Sequence, residues 1–240
     1  MNYIDMISKL GIGNAHPGGF AATLAQLERY PLRSGDHVLE VGCGTGRTAC
    51  HLALNGCNVT AVDFHADMLE KARRRAMEMQ VDVTWVQADA CRMPFPNDSF
   101  DVIWVESVTN FTEIDAAVME YFRILKPEGI LYDRELTIQP TMALEQTARL
   151  VQYFGMRQLL RAEQWIDRLA ACGFRQIERS EEAPFIDRSV EERNQHADPY
   201  EYIDEGLFHN EQVWKVAAGY FELMEDLHQE LTYVLLRAMK

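Results

Sequence analysis

Three glycines at alternate positions follow a short apolar run in residues 37–53, which read "HVLEVGCGTGRTACHLA". Gly42, Gly44 and Gly46 have no Cβ atom, so the backbone at each of them can approach a ligand or a neighbouring turn closely. A strand, a glycine-rich turn and a helix in this order form the ligand-binding end of open α/β sheets. The functional question is whether the ligand carries a pyrophosphate.

Short apolar runs alternate with helical patterns along most of the chain, which predicts βαβ units, a mostly parallel sheet and an α/β fold. The Val and Ile content of these runs, without strict alternation, is typical of strands that are buried on both faces. The predicted strands read "HVLEV", "NVTAVD", "DVTWVQ", "FDVIWVE", "GILYDREL", "FRQIERSEE" and "LTYVLLRAM". Helices are predicted over residues 19–30, 45–54, 66–79, 113–125, 141–154 and 164–172.

The length of 240 residues suits a single α/β domain with a small addition. About forty residues separate the last two predicted strands, whereas a hairpin needs only a few. This excess predicts a lid-like insertion at about residues 183–229, which contains a further helical pattern. Residues 1–30, ahead of the first strand, are predicted to form an N-terminal cap.

The formal net charge is −14, with 37 acidic and 23 basic side chains. Binding of nucleic acids and of anionic membranes depends on positive charge, so this composition argues against both kinds of partner. The densest basic run, "KARRR" at residues 71–75, is interpreted as a solvated helix face.

No apolar run approaches the length of a membrane-spanning helix, and the first residues lack the pattern of a signal peptide. The cysteines are odd in number and lie inside periodic segments: Cys43, Cys50, Cys57, Cys91 and Cys172. Reduced thiols in the cytoplasm account for them most simply. A thiol–metal site at the first three is disfavoured because they lie in a turn, a helix and a strand entry.

The spacing of the glycines and an acidic neighbour argue against a pyrophosphate ligand. A dinucleotide-binding turn has the spacing GxGxxG, whereas this chain has GxGxG. Glu40 stands two residues before Gly42, at the end of the strand. A carboxylate there would repel a pyrophosphate but favour a ligand with positive charge. A Rossmann NAD(P)-dependent oxidoreductase is therefore a less favoured alternative.

Later stretches extend this motif in chain order. Asp63 ends the second strand, where an acid fits the ribose hydroxyls of an adenosine. The stretch "ADACRMPF" places Asp89 and Ala90 after the third strand, where they could bind an adenine edge. The fourth strand ends at Glu106, and "ILKPEGIL" at residues 124–131 marks a helix end, a turn and another strand.

Taken in this order, the motifs resemble those of the class I S-adenosylmethionine-dependent methyltransferases. They are most similar to the bacterial small-molecule branch, the type 11-like group, whose members read "VLDVGCGTG…DxSxxM…DAxxLPFxxxxFD…LKPGG". The resemblance covers residues 38–131, and five motifs occur in the same order. The chain departs from the pattern at Glu40, at Glu128 in "KPEG" and at Phe64 and His65.

The resemblance implies a Rossmann-like three-layer sandwich, with a mostly parallel seven-stranded sheet and an antiparallel last strand. It also implies S-adenosylmethionine as the methyl donor and S-adenosylhomocysteine as the product. By the same resemblance, the residues around the cofactor are Glu40, Gly42, Gly44 and Gly46 for the methionine part, Asp63 for the ribose, and Phe64, Met68, Asp89 and Ala90 for the adenine.

Two acidic side chains are candidates for catalysis. The resemblance places Glu106 beside the transferable methyl group, where it could bind cofactor or substrate without moving a proton. A carboxylate that follows an apolar strand is costly to bury, so it should face a cavity. Glu135, at the end of the fifth predicted strand, is a second candidate for the pocket wall.

Segments that are not committed to the sheet must cover the methyl group and hold the acceptor. His16 in the N-terminal cap, and Tyr200, Tyr202 and Phe208 in the insertion, are therefore the predicted acceptor-binding residues. Aromatic side chains of this kind predict a small-molecule acceptor with an apolar body.

His196 and His209 have no partners at ligand spacing, so no metal site is predicted. A non-catalytic module that binds the same cofactor is the other alternative to a methyltransferase. The sequence leaves open the identity of the acceptor, the atom that is methylated, the need for a general base and the oligomeric state.

Overall fold

The strands in the described part of the chain form one sheet. The computed structural model describes residues 1–186, 191 and 194–240. The strands are β1 His37–Val41, β2 Asn58–Asp63, β3 Thr84–Gln87, β4 Phe100–Glu106, β5 Leu125–Ile138, β6 Arg175–Pro184 and β7 Leu231–Met239. Their order across the sheet is β3-β2-β1-β4-β5-β7-β6. Strand β7 is antiparallel to both β5 and β6, and the other neighbouring pairs are parallel. The predicted sheet, with its antiparallel last strand, is confirmed.

The helices in these residues include α1 Tyr3–Leu10, α2 Gly19–Arg29, α3 Arg47–Leu54, α4 Ala66–Met79, α5 Ile114–Ile124, α6 Leu144–Phe154, α7 Ala162–Cys172 and α8 Glu211–Leu227. Helix α4 has the predicted bounds, and the other predicted helices begin and end within three residues of the prediction. None of the helices in the described ranges has both the length and the apolar character of a membrane span.

Helices pack on both faces of the sheet, because successive side chains of a strand point to opposite faces. On one face, Leu39 of β1 belongs to a core that includes residues of α5 and the buried Trp165 of α7. On the other face, Val38 packs in a core with Leu52 of α3 and Leu69 of α4. This arrangement is the expected three-layer sandwich.

Two elements differ from the sequence prediction. Strand β5 begins at Leu125, so the "KPEG" stretch lies within the strand and not before it. Helix α1 is not predicted by the sequence analysis. Asn2 and Asp5 form reciprocal hydrogen bonds between side chain and backbone at its start, and Gly11 ends it at a φ of 72°. These capping residues are the sequence signal for α1.

The predicted cap and insertion correspond to defined elements. Residues 1–30 contain α1 and α2, and the chain between β6 and β7 contains α8. The predicted insertion at residues 183–229 includes residues 187–190, 192 and 193, which lie outside the described residues. The organisation as one domain with a cap and an insertion stays a prediction.

The buried side chain of Arg134, on β5, holds α2 against the sheet. Its Nη2 donates to Gln26 Oε1 at 3.1 Å and to the Ala22 carbonyl oxygen at 3.4 Å, and both acceptors are on α2. Its Nη1 donates to Glu181 Oε2, on β6, at 2.9 Å. Because the guanidinium is completely buried, an acceptor that lost this donor would find no water to replace it.

We expect the substitution Arg134→Ala to lower the free energy of unfolding by about 2–3 kcal/mol, because it removes charge-assisted hydrogen bonds and leaves the buried Gln26 oxygen without its donor. Equilibrium unfolding in urea measures the change. Arg149→Ala is the matched control, since Arg149 pairs with Asp226 and both side chains are about half exposed. Loss of such a surface pair costs less than about 1 kcal/mol. Equal losses in the two variants would contradict this role of Arg134.

Candidate active site

A cavity of about 540 Å³ lies at the carboxyl ends of β1, β2 and β4; we call it the first cavity. Its walls come from the turn after β1, the tips of β2 and β4, the loop after β3 and the N-terminal segment. All the predicted cofactor-binding residues except Gly46 line it: Glu40, Gly42, Gly44, Asp63, Phe64, Met68, Asp89, Ala90 and Glu106.

Two glycines of the turn are needed for different reasons. At Gly44, φ is 52° and an added Cβ atom would meet no other atom within 4 Å, so the glycine leaves open space in the first cavity. At Gly46, an added Cβ atom would lie 2.6 Å from the Trp85 ring and 2.9 Å from the Ala72 side chain. The structure therefore places Gly46 behind the turn, where it allows close packing of α3 against α4 and β3.

Glu40, at the end of β1, contributes a buried acceptor to the first cavity. Its Oε2 has no hydrogen-bond partner among the described residues. Burial, and after it the negative charge of Glu106, raise the pKa of the Glu40 carboxyl well above its usual range. Because a buried acceptor without a donor is costly, this position fits a ligand that brings a donor, above all a positively charged one.

Two further carboxylates organise the backbone around the first cavity. Asp63 accepts the Gly44 N–H at Oδ2 and the His65 N–H at Oδ1, both at 2.8 Å, which ties the tip of β2 to the glycine turn. Burial raises the pKa of the Asp63 carboxyl, and these hydrogen bonds oppose the rise. Asp89 accepts the Cys91 N–H at 2.8 Å. Each carboxylate oxygen can accept more than one hydrogen bond, so both groups can also bind a ligand hydroxyl or amine.

Glu106, at the end of β4, is surrounded by side chains from three other segments. Thr23 of α2 donates to Oε1 at 2.7 Å, and Thr48 of α3 donates to Oε2 at 2.9 Å. His16 Nε2 lies 3.8 Å from Glu106 Oε2 and 3.4 Å from Thr23 Oγ1. The structure brings together His16 and Glu106, which the sequence indicates separately. It adds two threonines that sequence analysis misses, because a single threonine in a helix gives no signal of its own.

A second cavity, of about 330 Å³, adjoins the first. The two share a wall that contains His16, Ser107, Phe111 and Phe154. Most other side chains around the second cavity are apolar or aromatic: Tyr3, Met6, Leu10, Leu136, Met156, Phe185, Ile186, Tyr220 and Phe221. Its charged lining residues include Arg47, Asp198 and Glu201. Such a lining suits a mainly apolar small molecule.

Comparison with known proteins identifies the family. Residues 39–133 match the family model of a methyltransferase domain. The uncharacterized methyltransferase YodH of Bacillus subtilis (strain 168) is 32% identical over 176 residues, which are 73% of this chain and 76% of YodH. The chain belongs to the class I S-adenosylmethionine-dependent methyltransferases.

Two further proteins are similar to this methyltransferase. The 27-O-demethylrifamycin SV methyltransferase of Amycolatopsis mediterranei (strain S699) is 32% identical over 170 residues, which are 64% of this chain and 62% of that enzyme. A Haemonchus contortus phosphoethanolamine N-methyltransferase 2, in complex with phosphomonomethylethanolamine and S-adenosylhomocysteine, shares the fold with a TM-score of 0.79 and 24% identity. That match covers 99% of this chain and 56% of the other. The chain thus spans less than two thirds of the length of these two proteins.

Glu135 of the methyltransferase lines neither cavity, although the sequence analysis places it in the pocket wall. Strand β5 continues past it to Ile138, and the side chain is completely buried behind the loop that follows β4. There it accepts the backbone N–H groups of Val108 at 2.8 Å, Thr109 at 2.6 Å and Asn110 at 3.3 Å. Since Val108 lines the first cavity, Glu135 shapes that cavity through the backbone.

The three predicted acceptor-binding aromatics of the insertion also line neither cavity. Tyr200 and Tyr202 turn toward α4, where the centre of the Tyr202 ring lies 3.8 Å from the Arg74 guanidinium. Phe208 is 54% exposed. The insertion lines the second cavity with other residues instead: Phe185, Ile186, His196, Asp198, Glu201, Ala217, Tyr220 and Phe221.

The basic run of α4 binds the strap, which we define as residues 196–204. Lys71 Nζ lies 2.7 Å from Asp204 Oδ1. Arg75 donates to both carboxylate oxygens of Asp198, each at 2.7 Å, and is 2% exposed. The interpretation of this run as a solvated helix face is wrong at these two positions, because the acidic partners come from a distant part of the chain.

Arg75 also connects the strap to the glycine turn. Its Nε donates to the carbonyl oxygen of Thr45, between Gly44 and Gly46, at 2.8 Å. Its partner Asp198 lines the second cavity. One buried guanidinium therefore contacts the edges of both cavities.

We expect Asp198→Asn to loosen the strap, because it removes the charged partner of a buried arginine with little change in shape. Hydrogen exchange of the backbone amides in the strap should become about tenfold faster or more. Asp226→Asn is the matched control, since it breaks the exposed pair with Arg149 and should leave exchange in the strap unchanged. Unchanged exchange in both variants would show that the strap does not depend on Arg75.

We also expect Glu135 to make the free energy of unfolding depend on pH. Burial raises the pKa of the Glu135 carboxyl to about 7, whereas a glutamate in the unfolded chain titrates near its usual pKa of about 4.3. At Glu135 the folded state then holds more protons in this interval, so the contribution of this residue to the free energy of unfolding should fall as the pH rises from about 4.3 to about 7. Glu135→Gln should reduce this fall. Glu163→Gln, at an exposed glutamate, should keep it, and equal slopes in all three proteins would contradict the assignment.

Proposed function

We propose that this methyltransferase binds S-adenosylmethionine in the first cavity and transfers its methyl group to a small molecule in the second. The observation that carries the proposal is the buried Glu40 Oε2, which lacks a donor beside the open space at Gly44. S-adenosylmethionine supplies an activated methyl group on a positively charged sulfonium, and its ammonium group is a second positive charge. Both charges suit a cavity that Glu40 and Glu106 line.

The remaining groups of the first cavity suit the rest of the cofactor. We assign Glu40 to the ammonium group, Asp63 to the ribose hydroxyls and Asp89 to the adenine amine, because carboxylates are acceptors for each of these donors. Phe64 is exposed and Met68 is buried, and because both line the first cavity they can contact the adenine ring.

The second cavity is the proposed acceptor site because it shares a wall with the first. Phe111 and Phe154 belong to both linings, so apolar surface surrounds the place where the acceptor would meet the methyl group. Positioning and exclusion of water at that place can supply much of the rate of a methyl transfer. Glu106 anchors His16 there, and Glu135 acts only through the loop it holds.

Two alternatives have less support. A Rossmann oxidoreductase would place a pyrophosphate beside Glu40 and Glu106, two carboxyl groups whose ionised forms would repel it. A non-catalytic module that binds the cofactor has no need of a second, mainly apolar cavity beside it.

We propose that the protein acts on a small molecule and does not bind nucleic acid. The net charge is −14, and Lys71 and Arg75 of the densest basic run pair with acids of the strap. A cytoplasmic location is part of the proposal and rests on the five cysteines, which are free thiols.

Calorimetry of cofactor binding tests the first cavity. Gly44→Ala should weaken the binding of S-adenosylhomocysteine about tenfold or more, because its methyl group would enter the cavity at a strained positive φ. Gly35→Ala is the matched control. Gly35 also has a positive φ, of 93°, and no atom within 4 Å of an added Cβ, but it lines neither cavity.

In the same experiment, Asp63→Ala should weaken the binding of S-adenosylhomocysteine by about 1–3 kcal/mol, because the ribose hydroxyls lose a charged acceptor. NAD should bind poorly to the unsubstituted protein. Comparable affinities for NAD and for the methyl donor, or an unchanged affinity in Gly44→Ala, would overturn the proposed site.

A further inference from the structure

We propose that the acceptor is an apolar compound with a hydroxyl group, and that His16 takes the hydroxyl proton during methyl transfer. This inference rests on the proposed function, because it assigns the second cavity to the acceptor. It depends on three features of the structure: the apolar lining of that cavity, its charges, and the cluster of His16, Thr23 and Glu106.

The lining favours an acceptor with an apolar body. Aromatic side chains reach the second cavity from the N-terminal cap, the loop after β4, α6 and α8, as Tyr3, Phe111, Phe154 and Tyr220. The volume of about 330 Å³ lies at the lower end of the range for pockets that hold small molecules. A compact ring system fits such a space.

The charges around the second cavity disfavour an anionic acceptor. Arg47 is the one lysine or arginine among its described lining residues. Its Nε lies 4.0 Å from Asp198, its Nη2 donates to the His196 carbonyl oxygen, and its guanidinium lies 4.1 Å from the centre of the Phe20 ring. Glu201 adds another carboxylate to the lining, so positive charge is not in excess. A buried carboxylate or phosphate of the acceptor would find no excess of positive charge among the described lining residues.

A hydroxyl acceptor needs a base, whereas a neutral amine does not. An amine already has a nucleophilic lone pair, but a hydroxyl must lose its proton as the new bond forms. Among the described residues shared by the two linings, His16 is the one that carries an imidazole, the side chain that most often serves as a general base. A proton acceptor therefore lies where the acceptor would meet the methyl group.

Oxygen atoms lie near both ring nitrogens of His16. Nδ1 lies 3.4 Å from the Pro17 carbonyl oxygen. Nε2 lies 3.4 Å from Thr23 Oγ1 and 3.8 Å from Glu106 Oε2. Because Thr23 donates its hydrogen to Glu106 at 2.7 Å, its oxygen acts as an acceptor toward His16. These oxygens can accept the N–H hydrogens of the imidazole after it has taken a proton.

The transfer balances in atoms and charge. The acceptor oxygen forms a bond to the methyl carbon, while the bond from that carbon to sulfur breaks and leaves its electron pair on sulfur. The hydroxyl proton passes to the imidazole of His16, and Glu106 carries the opposing charge. The products are a methyl ether, S-adenosylhomocysteine and a protonated His16, which returns its proton to water.

The test compares three probes that share one ring system: 5-indanol, 5-aminoindane and indane-5-carboxylate. Each is incubated with the full chain and isotopically labelled methyl donor, and transfer of the label is measured. Label in 5-indanol, at a rate at least about tenfold above that for the other two, is the expected result. A higher rate for the amine or the carboxylate, or no label in any probe, overturns the inference.

Variants then test His16 with 5-indanol as the acceptor. His16→Gln should lower kcat about 100-fold or more, the usual contribution of a general base, and keep the affinity for S-adenosylhomocysteine within about threefold. His209→Gln is the matched control, because His209 is an exposed histidine that lines neither cavity, and its kcat should not change. An equal kcat in the His16→Gln and unsubstituted proteins overturns the role of His16.

Thr23→Val keeps the test decisive if His16→Gln fails to bind S-adenosylhomocysteine. It removes the hydroxyl that joins His16 to Glu106 with little change in volume, and it should lower kcat while the KM for the methyl donor stays the same. Unchanged kcat overturns the inference. Failure of the unsubstituted protein to bind S-adenosylhomocysteine would instead overturn the proposed function, so the two failures are distinguishable.

Discussion

The burial of one carboxylate at the end of β4 organises the whole site. A carboxylate that leaves water loses several kcal/mol unless donors surround it. At Glu106 these donors are Thr23 on α2 and Thr48 on α3, with His16 close by. The sheet can hold this charge only when α2 and the segment before it are in place. Residues 1–30 thus supply two of the side chains beside Glu106, which are His16 and Thr23.

Hydrogen bonds of two charged side chains, Asp63 and Arg75, connect the surroundings of the two cavities, in addition to the wall that the cavities share. Asp63 binds the N–H of Gly44, and Arg75 binds the carbonyl oxygen of Thr45. The same arginine holds Asp198 of the strap. Arg75 therefore links the glycine turn to a residue that lines the second cavity.

The sheet and the first cavity could be predicted from the sequence, because both depend on local patterns. Glu40, Asp63 and Glu106 each end an apolar run, and parallel strands bring such ends together. The covering segments could not be predicted in the same way. Arg75 and Asp198 are 123 positions apart, and nothing local marks them as partners. Glu135 was misplaced because the sequence does not tell that β5 extends past it to Ile138.

The position of β7 in the sheet limits the order in which parts of the protein can fold. Strand β7 lies between β5 and β6 although it follows both in the chain. Until residues 231–239 are available, β5 has an open edge on that side and β6 has no neighbour in the described sheet. Glu181 on β6 can then not reach Arg134, the residue that holds α2 and its Thr23. During synthesis on the ribosome, a nascent chain without this strand carries unpaired edges that invite association with other chains. The ion pair between Arg134 and Glu181 is therefore among the last contacts of the protein to form.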